Sequence, residues 1–364
     1  MTSGKSKHIL VAVLDWGLGH ATRSIPVIRC LLENNCQVSI AGNGPSLTLL
    51  KQEFPHLSFY ELAAHQVTYS PRGFFFTRLF FQTPRIFKAI RKERRQIEKL
   101  TGENQIDAII SDNRYGCYSD KVPSVLITHQ LNIQLPAALS WSRFVVNYIL
   151  HYWIKKFDSC WVPDFPESRL SGKLSEEKEM KVQFVGILSR FHGKNRSTTD
   201  IGVVGLVSGP EPQRTIFENL LIREFSVLNQ PSLIVRGLPQ LNEEVASQGD
   251  ITFINHASSD ELEGIISSAG WIVSRSGYST IMDLQTLARK QVIFIPTPGQ
   301  TEQEYLADNL EKRNICVAQP QDAFNLKEAM QKSKEYTGFD AIADQTNLLN
   351  EAVLNLLQRI KVAQ

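Results

Sequence analysis

The sequence predicts an α/β protein made of two Rossmann-like, doubly wound parallel-sheet domains that face each other across a cleft. Three observations carry this. The chain has 364 residues, and domains run to about 100–200 residues each, so two can each bury a core. Apolar runs of four to seven residues, several rich in Val and Ile, alternate with stretches of helical periodicity, the pattern of βαβ units. Near the middle, "DFPESRLSGKLSEEKEMK" (164–181) and "SRFHGKNRSTTD" (189–200) are polar and poor in aliphatic side chains, as linkers are.

In chain order, strands are expected near 8–14, 37–41, 57–61, 107–111, 123–128 and 159–163, with "VQFVG" (182–186) closing the first domain. The second half should place strands near 201–207, 231–236, 251–254, 270–274, 292–295 and 315–318. The domains are therefore set at 1–190 and 191–340. A helix in 341–364, whose apolar residues keep helical spacing through "LLNEAVLNLLQRI", is expected to pack back toward the first domain.

Composition narrows the function. Lys plus Arg (39) almost balance Asp plus Glu (37), so total charge calls for no nucleic-acid partner. Five cysteines without a CxxC pair read as reduced thiols, and Lys5 and Lys7 precede an apolar run too short for a signal peptide, so a cytoplasmic location is expected. The greasiest segment, 141–157, is interrupted by Arg143, Asn147 and His151 and is shorter than the roughly 20 residues that span a bilayer. "SPRGFFFTRLFFQTPRIFKAIRKERRQIEK" (70–99) crowds phenylalanines beside Arg72, Arg78, Arg85, Lys88, Arg91, Lys92, Arg94 and Arg95. Residues 72–95 fit either an anionic membrane surface at the inner face of the membrane or a core face with a solvated basic side.

The first strand runs into "DWGLGHATR". A strand, a glycine turn and a helix start form an anion site, because free N–H groups and the helix dipole both favour negative charge. Gly17 and Gly19 occupy two positions of a dinucleotide GxGxxG fingerprint, but Thr22 takes the third, which argues against an oxidoreductase. His20 stands at the carboxyl end of the first strand, where open α/β sheets place ligands. Neutral histidine suits proton abstraction from a hydroxyl. Asp112, ending the strand in "DAIISDN", is the carboxylate placed to stabilise its cation; the competing role is a cap on the following helix. Gly17, Gly19 and Arg23 complete an acceptor-side group. His129 and His256 also follow strands, and nothing in the sequence separates them from structural histidines.

The second half repeats the device. In "SRSGYSTIMDL" a strand ends at Ser274, and Arg275, Ser276, Gly277 and Thr280 form a turn and helix start that offers N–H groups to phosphate, with Asp283 one turn on for ribose hydroxyls. "LVSGPEPQ" brings Ser208 and Gly209 to a second backbone approach. Arg236 ends the next strand, and with Arg275 it is a candidate cation for a departing diphosphate. Gln303 and Glu304, in "PTPGQTEQEYLADN", could hold sugar hydroxyls.

Taken together, these segments resemble the inverting glycosyltransferases of the GT-B fold, and most of all the MurG-type N-acetylglucosaminyltransferases and related UDP-glycosyltransferases. The resemblance implies an acceptor site in the first domain and a nucleotide-sugar site in the second. It implies His20 as general base paired with Asp112, a UDP-linked donor such as UDP-N-acetylglucosamine, and a glycan or lipid-linked acceptor, with no cofactor. Where MurG-type turns have two further glycines the chain has Asp15 and Trp16; Asp283 replaces a glutamate, and Glu304 replaces a glutamine. No D-x-D triplet occurs, so no metal is expected. The rival readings are a nucleotide-sugar epimerase or hydrolase on the same fold and a non-catalytic subunit that binds sugar nucleotide or recruits a partner to a membrane.

Overall fold

The computed structural model describes residues 6–63, 75–135, 137–166, 170–176, 180, 182–193, 201–241, 245–341 and 346–362. The first sheet holds β1 (His8–Val13), β2 (Gln37–Gly42), β3 (Ser58–Glu61), β4 (Ala108–Asp112), β5 (Ser124–Ile127), β6 (Ser159–Val162) and β7 (Val182–Phe184). Its order is β3-β2-β1-β4-β5-β6-β7, every pairing parallel. The central strands are buried on both faces, which is why His8–Val13 reads as an almost unbroken apolar run.

The second sheet holds β8 (Val203–Leu206), β9 (Ser232–Val235), β10 (Val245–Gln248), β11 (Ile251–Ile254), β12 (Trp271–Ser274), β13 (Val292–Phe294) and β14 (Val317–Ala318), in the order β10-β11-β9-β8-β12-β13-β14. Only β10 runs antiparallel there. It was not expected from the sequence: all four of its residues are exposed, so no apolar run marks it.

Around the first sheet lie the helices α1 (Gly19–Glu33), α2 (Gly44–Glu53), α3 (Phe75–Glu103) and α4 (Arg143–Ile154). The second carries α5 (Gln213–Phe225), α6 (Ser259–Ser267), α7 (Tyr278–Thr286), α8 (Thr301–Lys312) and α9 (Leu326–Ser333), and the terminal helix is α10 (Thr346–Val362). From α10, Asn350 accepts a hydrogen bond from Asn34 at 2.9 Å, at the end of α1. Of the 70–99 patch, residues 70–74, including Arg72, lie outside the described residues, as do the side chains of 75–86.

In both sheets the strand order reverses at one place, between β1 and β4 and between β8 and β12. Such switch points open a crevice beyond the strands' carboxyl ends. Val13 is in register with Asp112, and Leu206 with Ser274, so the turns singled out in the sequence emerge at these two crevices. α1 of one domain packs on α7 of the other, and Ala21, Ile25, Tyr278, Ile281 and Leu284 share one hydrophobic cluster. That contact sets the two crevices face to face.

Candidate active site

Between the domains lies a cavity of about 1030 Å³, lined on one side by Gly17, Gly19, His20 and Arg23 and on the other by Ser208, Gly209, Gly277, Thr280, Asp283 and Gln303. The walls touch where Ser279 Oγ donates to Gly19 O at 2.8 Å. A Cβ on Gly19 would stand only 3.0 Å from Ser279 Oγ, so glycine here lets the domains approach. Gly209 has φ +106° and nothing within 4 Å of where a Cβ would stand, leaving its backbone open to the cavity.

His20 sits in the first turn of α1, whose amino-terminal residue Leu18 makes no side-chain cap. Its Nδ1 lies 2.8 Å from Asp112 Oδ1 and 2.9 Å from Arg23 Nη2. Arg23 also grips Asp112 with two nitrogens, Nε to Oδ2 at 2.7 Å and Nη2 to Oδ1. Asp112 is fully buried and Arg23 only 2 % exposed, whereas 14 % of the His20 side chain reaches solvent. Burial would raise the Asp112 pKa, but Arg23 and His20 overcome it and hold the carboxyl at about 2. For His20 the balance falls the other way: burial, then Arg23, keep its pKa below the ordinary 6.5, with Asp112 opposing them. At neutral pH the pair is a carboxylate beside a neutral imidazole.

Arg23 continues the network. Its Nη1 donates to His129 Nδ1 at 3.1 Å, and because arginine can only donate, His129 carries its proton on Nε2, which reaches Glu302 Oε1 at 2.6 Å. Gln130 donates to the other Glu302 oxygen. His129 stacks on Tyr278 with ring centroids 4.1 Å apart, and the Tyr278 hydroxyl donates to Pro163 O at 2.7 Å. His129 thus belongs to the cleft. Glu302 was missed because a carboxylate in a helix's first turn is ordinary dipole complementation, which carries no functional signal.

On the second-domain side, Gly277 precedes α7 and has no side chain to cap it, so the cavity meets a helix start whose first N–H groups are not claimed by a capping side chain. Several expected donor residues are placed otherwise. Arg275 is 2 % exposed and turned into its own domain, donating to Ile295 O at 3.0 Å, Pro296 O at 3.2 Å and Gln321 Oε1 at 2.5 Å, with Phe217 beneath it at 4.2 Å. It cannot serve as the diphosphate cation expected of it. A guanidinium this deep needs acceptors, and three oxygens supply them. Arg236 is likewise held by Glu218 at 2.7 Å and Asn255 at 3.1 Å, outside the cavity lining.

Ser274 and Ser276 are buried behind the turn, Ser276 Oγ donating to Gln303 O at 2.8 Å. Gln303 lines the cavity while its Oε1 accepts from Thr297 N at 2.8 Å. Glu304 instead accepts from Gly299 N at 2.8 Å and does not line the cavity, so the pair expected to hold sugar hydroxyls is split. Asp283 does line it, but its carboxylate accepts from Ser189 Oγ at 2.7 Å and faces Arg190 at 3.6 Å. In the first domain Asp15 accepts from Ser46 N at 3.1 Å, tying the β1–α1 turn to the start of α2, and Trp16 lines the cavity.

Residues 236–352 match the family described as glycosyltransferase family 28 C-terminal domain. The whole chain superposes on solved glycosyltransferases of two layered α/β domains. The chain shares its two-domain fold with these enzymes. The glycotransferase of kitacinnamycin matches with a TM-score of 0.62 at 14 % identity, over 98 % of this chain and 95 % of that one. CalG4, the calicheamicin glycosyltransferase, gives 0.62 at 12 %, over 99 % and 95 %. Arabidopsis thaliana UGT89C1, solved with UDP-L-rhamnose, gives 0.53 at 13 %, over 99 % and 94 %. No curated protein sequence matches the chain. In this fold the two switch-point crevices fall on the two sides of one cleft.

Proposed function

We propose that the protein is an inverting glycosyltransferase that moves a sugar from a nucleotide donor, UDP-linked and of the UDP-N-acetylglucosamine kind, to an acceptor hydroxyl, without a bound metal. The single observation that carries this is the His20–Asp112 pair at one switch point, facing across the cleft the uncapped start of α7 at the other. In the reaction, His20, its Nδ1 side held by Asp112 and Arg23, takes the acceptor's hydroxyl proton on Nε2. The oxygen attacks the anomeric carbon from the face opposite the nucleotide, the bond to the diphosphate breaks, and the nucleoside diphosphate leaves with the electron pair. Preorganised N–H groups at α7 and around Gly209 stabilise that charge, the contribution that is usually largest in such sites.

The acceptor side is apolar. Trp16, Phe87, Tyr115, Leu139 and Trp153 line it, which suits an acceptor with a large apolar body, a lipid-linked glycan among them. A hydrolase or epimerase would need free acidic groups around the anomeric carbon. The two carboxylates lining the cavity among the described residues, Asp283 and Glu302, are engaged by Ser189 and by His129 and Gln130.

A thermal-shift panel of nucleotides and nucleotide sugars, followed by NMR of the product formed from the one that binds, tests the reading. A nucleotide sugar should raise the melting temperature, and the new glycosidic bond should have the opposite anomeric configuration to the donor. Stabilisation by no nucleotide, or retained configuration, contradicts it.

A further inference from the structure

His129 stands two residues beyond the end of β5, in the lining of the cleft, and takes no part in the proton transfer proposed for His20. The residue is only 4 % exposed. Its backbone is held on both sides, Thr128 N donating to Trp161 O at 3.1 Å and Gln130 N to Thr128 Oγ1 at 3.1 Å. The ring lies flat on Tyr278, with the two planes 11° apart, and Tyr278 is itself anchored on Pro163 O. An imidazole fixed in this way is a rigid strut.

The two nitrogens of that ring serve opposite walls of the cleft. Nδ1 accepts from Arg23 Nη1 at 3.1 Å, and Nε2 reaches Glu302 Oε1 at 2.6 Å. Arg23 directs its other nitrogens to the His20–Asp112 pair: Nε donates to Asp112 Oδ2 at 2.7 Å, and Nη2 meets Asp112 Oδ1 and lies 2.9 Å from His20 Nδ1. A planar fork bound at all three nitrogens has one orientation. Without His129, Nη1 would be a buried donor short of an acceptor, a state costly enough to turn the guanidinium away from Asp112. The groups that face His20 are thus Asp112 from β4, Arg23 from α1 and His129 after β5, and His129 is faced in turn by Glu302 from α8 and Tyr278 from α7.

We propose that His129 is a positioning residue that ties the base to the second domain: its Nε2 end meets Glu302, and its Nδ1 end holds Arg23 in the orientation that aligns Asp112 and His20. The base is then in order only while the two walls touch, which confines proton abstraction to the assembled cleft. This role rests on His20 being the base of the reaction proposed above.

Asparagine and glutamine separate the two ends, because the asparagine amide oxygen reaches the place of Nδ1 and the glutamine amide nitrogen the place of Nε2. His129→Asn keeps an acceptor for Arg23 and loses the donor to Glu302; His129→Gln does the reverse. NMR titration of the His20 ring in the full chain without substrate reads the first end, and donor KM reads the second. Arg23 lowers the proton affinity of His20. In His129→Gln the guanidinium is released, so that affinity should rise by roughly tenfold, further than in His129→Asn, and the acid limb of kcat/KM should move upward with it. In His129→Asn donor KM should rise by roughly tenfold, further than in His129→Gln. Equal effects of the two variants on either readout, the reverse order, or no effect would mean that His129 only fills space, and overturn the proposal. So would a ring-nitrogen spectrum of the wild type with the His129 proton on Nδ1, a measurement that needs no variant to fold. If the wild type transfers no sugar, the reaction fails, and the His20 titrations with the ring-nitrogen spectrum still decide the positioning role.

Discussion

His129 of the first domain and Glu302 of the second meet across the cleft at 2.6 Å, joining the buried Arg23–Asp112 pair to the start of α8. Glu302 is held below the ordinary carboxyl range because His129, then Arg23, outweigh the burial that would raise it. The domain contact therefore sets the Glu302 carboxylate against an imidazole that Arg23 has oriented.

If this contact latches the cleft, Glu302→Gln should open it. Coupling of this kind is typically worth about 1–3 kcal/mol, so donor affinity should fall by roughly tenfold and the scattering radius of gyration should rise. Unchanged scattering with unchanged affinity would show that the contact does not hold the domains together.

Arg23 lowers the His20 pKa, so removing its charge must raise it. Catalysis needs the imidazole neutral, and the acid limb of the kcat/KM profile should therefore lie below pH 6.5 in the wild type and move upward in Arg23→Gln. An acid limb that stays in place would mean that Arg23 does not act on the base.

Asp112 should show both catalytic and structural effects. Its folded pKa of about 2 is below the ordinary 3.8, so its contribution of about 2 kcal/mol is present above roughly pH 4 and lost as pH falls through about 2. Asp112→Asn leaves a buried guanidinium without its anion and should cost about 3–5 kcal/mol, together with slower turnover. Urea denaturation at neutral and acid pH reads the first effect, and turnover per folded molecule reads the second.

A second buried pair lies outside the cavity lining. Arg114 meets Glu93 at 2.6 Å, both fully buried, and also donates to Val13 O at 3.0 Å, Asn43 Oδ1 at 2.8 Å and Ala63 O at 2.6 Å, binding β1, α2 and α3 together. Arg114→Met should destabilise by about 3–5 kcal/mol, with kcat per folded molecule preserved. A loss of kcat without a loss of stability would give Arg114 a different role.

Much of the fold was legible because a parallel sheet buried on both faces writes each strand as an apolar run, as in β1, β4 and β12. β10 escaped because an exposed edge strand has no such run. At the site, His20, Asp112 and the turn at Gly277 could be read because strand ends and glycine turns mark where an α/β sheet binds ligands. The direction of Arg275 could not. It emerges from the same turn as Gly277, and only packing decides whether a guanidinium faces the cleft or the carbonyls of Ile295 and Pro296. Nor could the His129–Glu302 contact, since it joins residues 173 positions apart in different domains.

The central claim is that His20 removes the acceptor's proton, and turnover of His20→Ala, measured beside its donor affinity, tests it most directly. Loss of a positioned general base should lower kcat by about 10²–10⁴-fold while the nucleotide sugar still binds and stabilises the fold. Wild-type turnover in that variant would contradict the assignment.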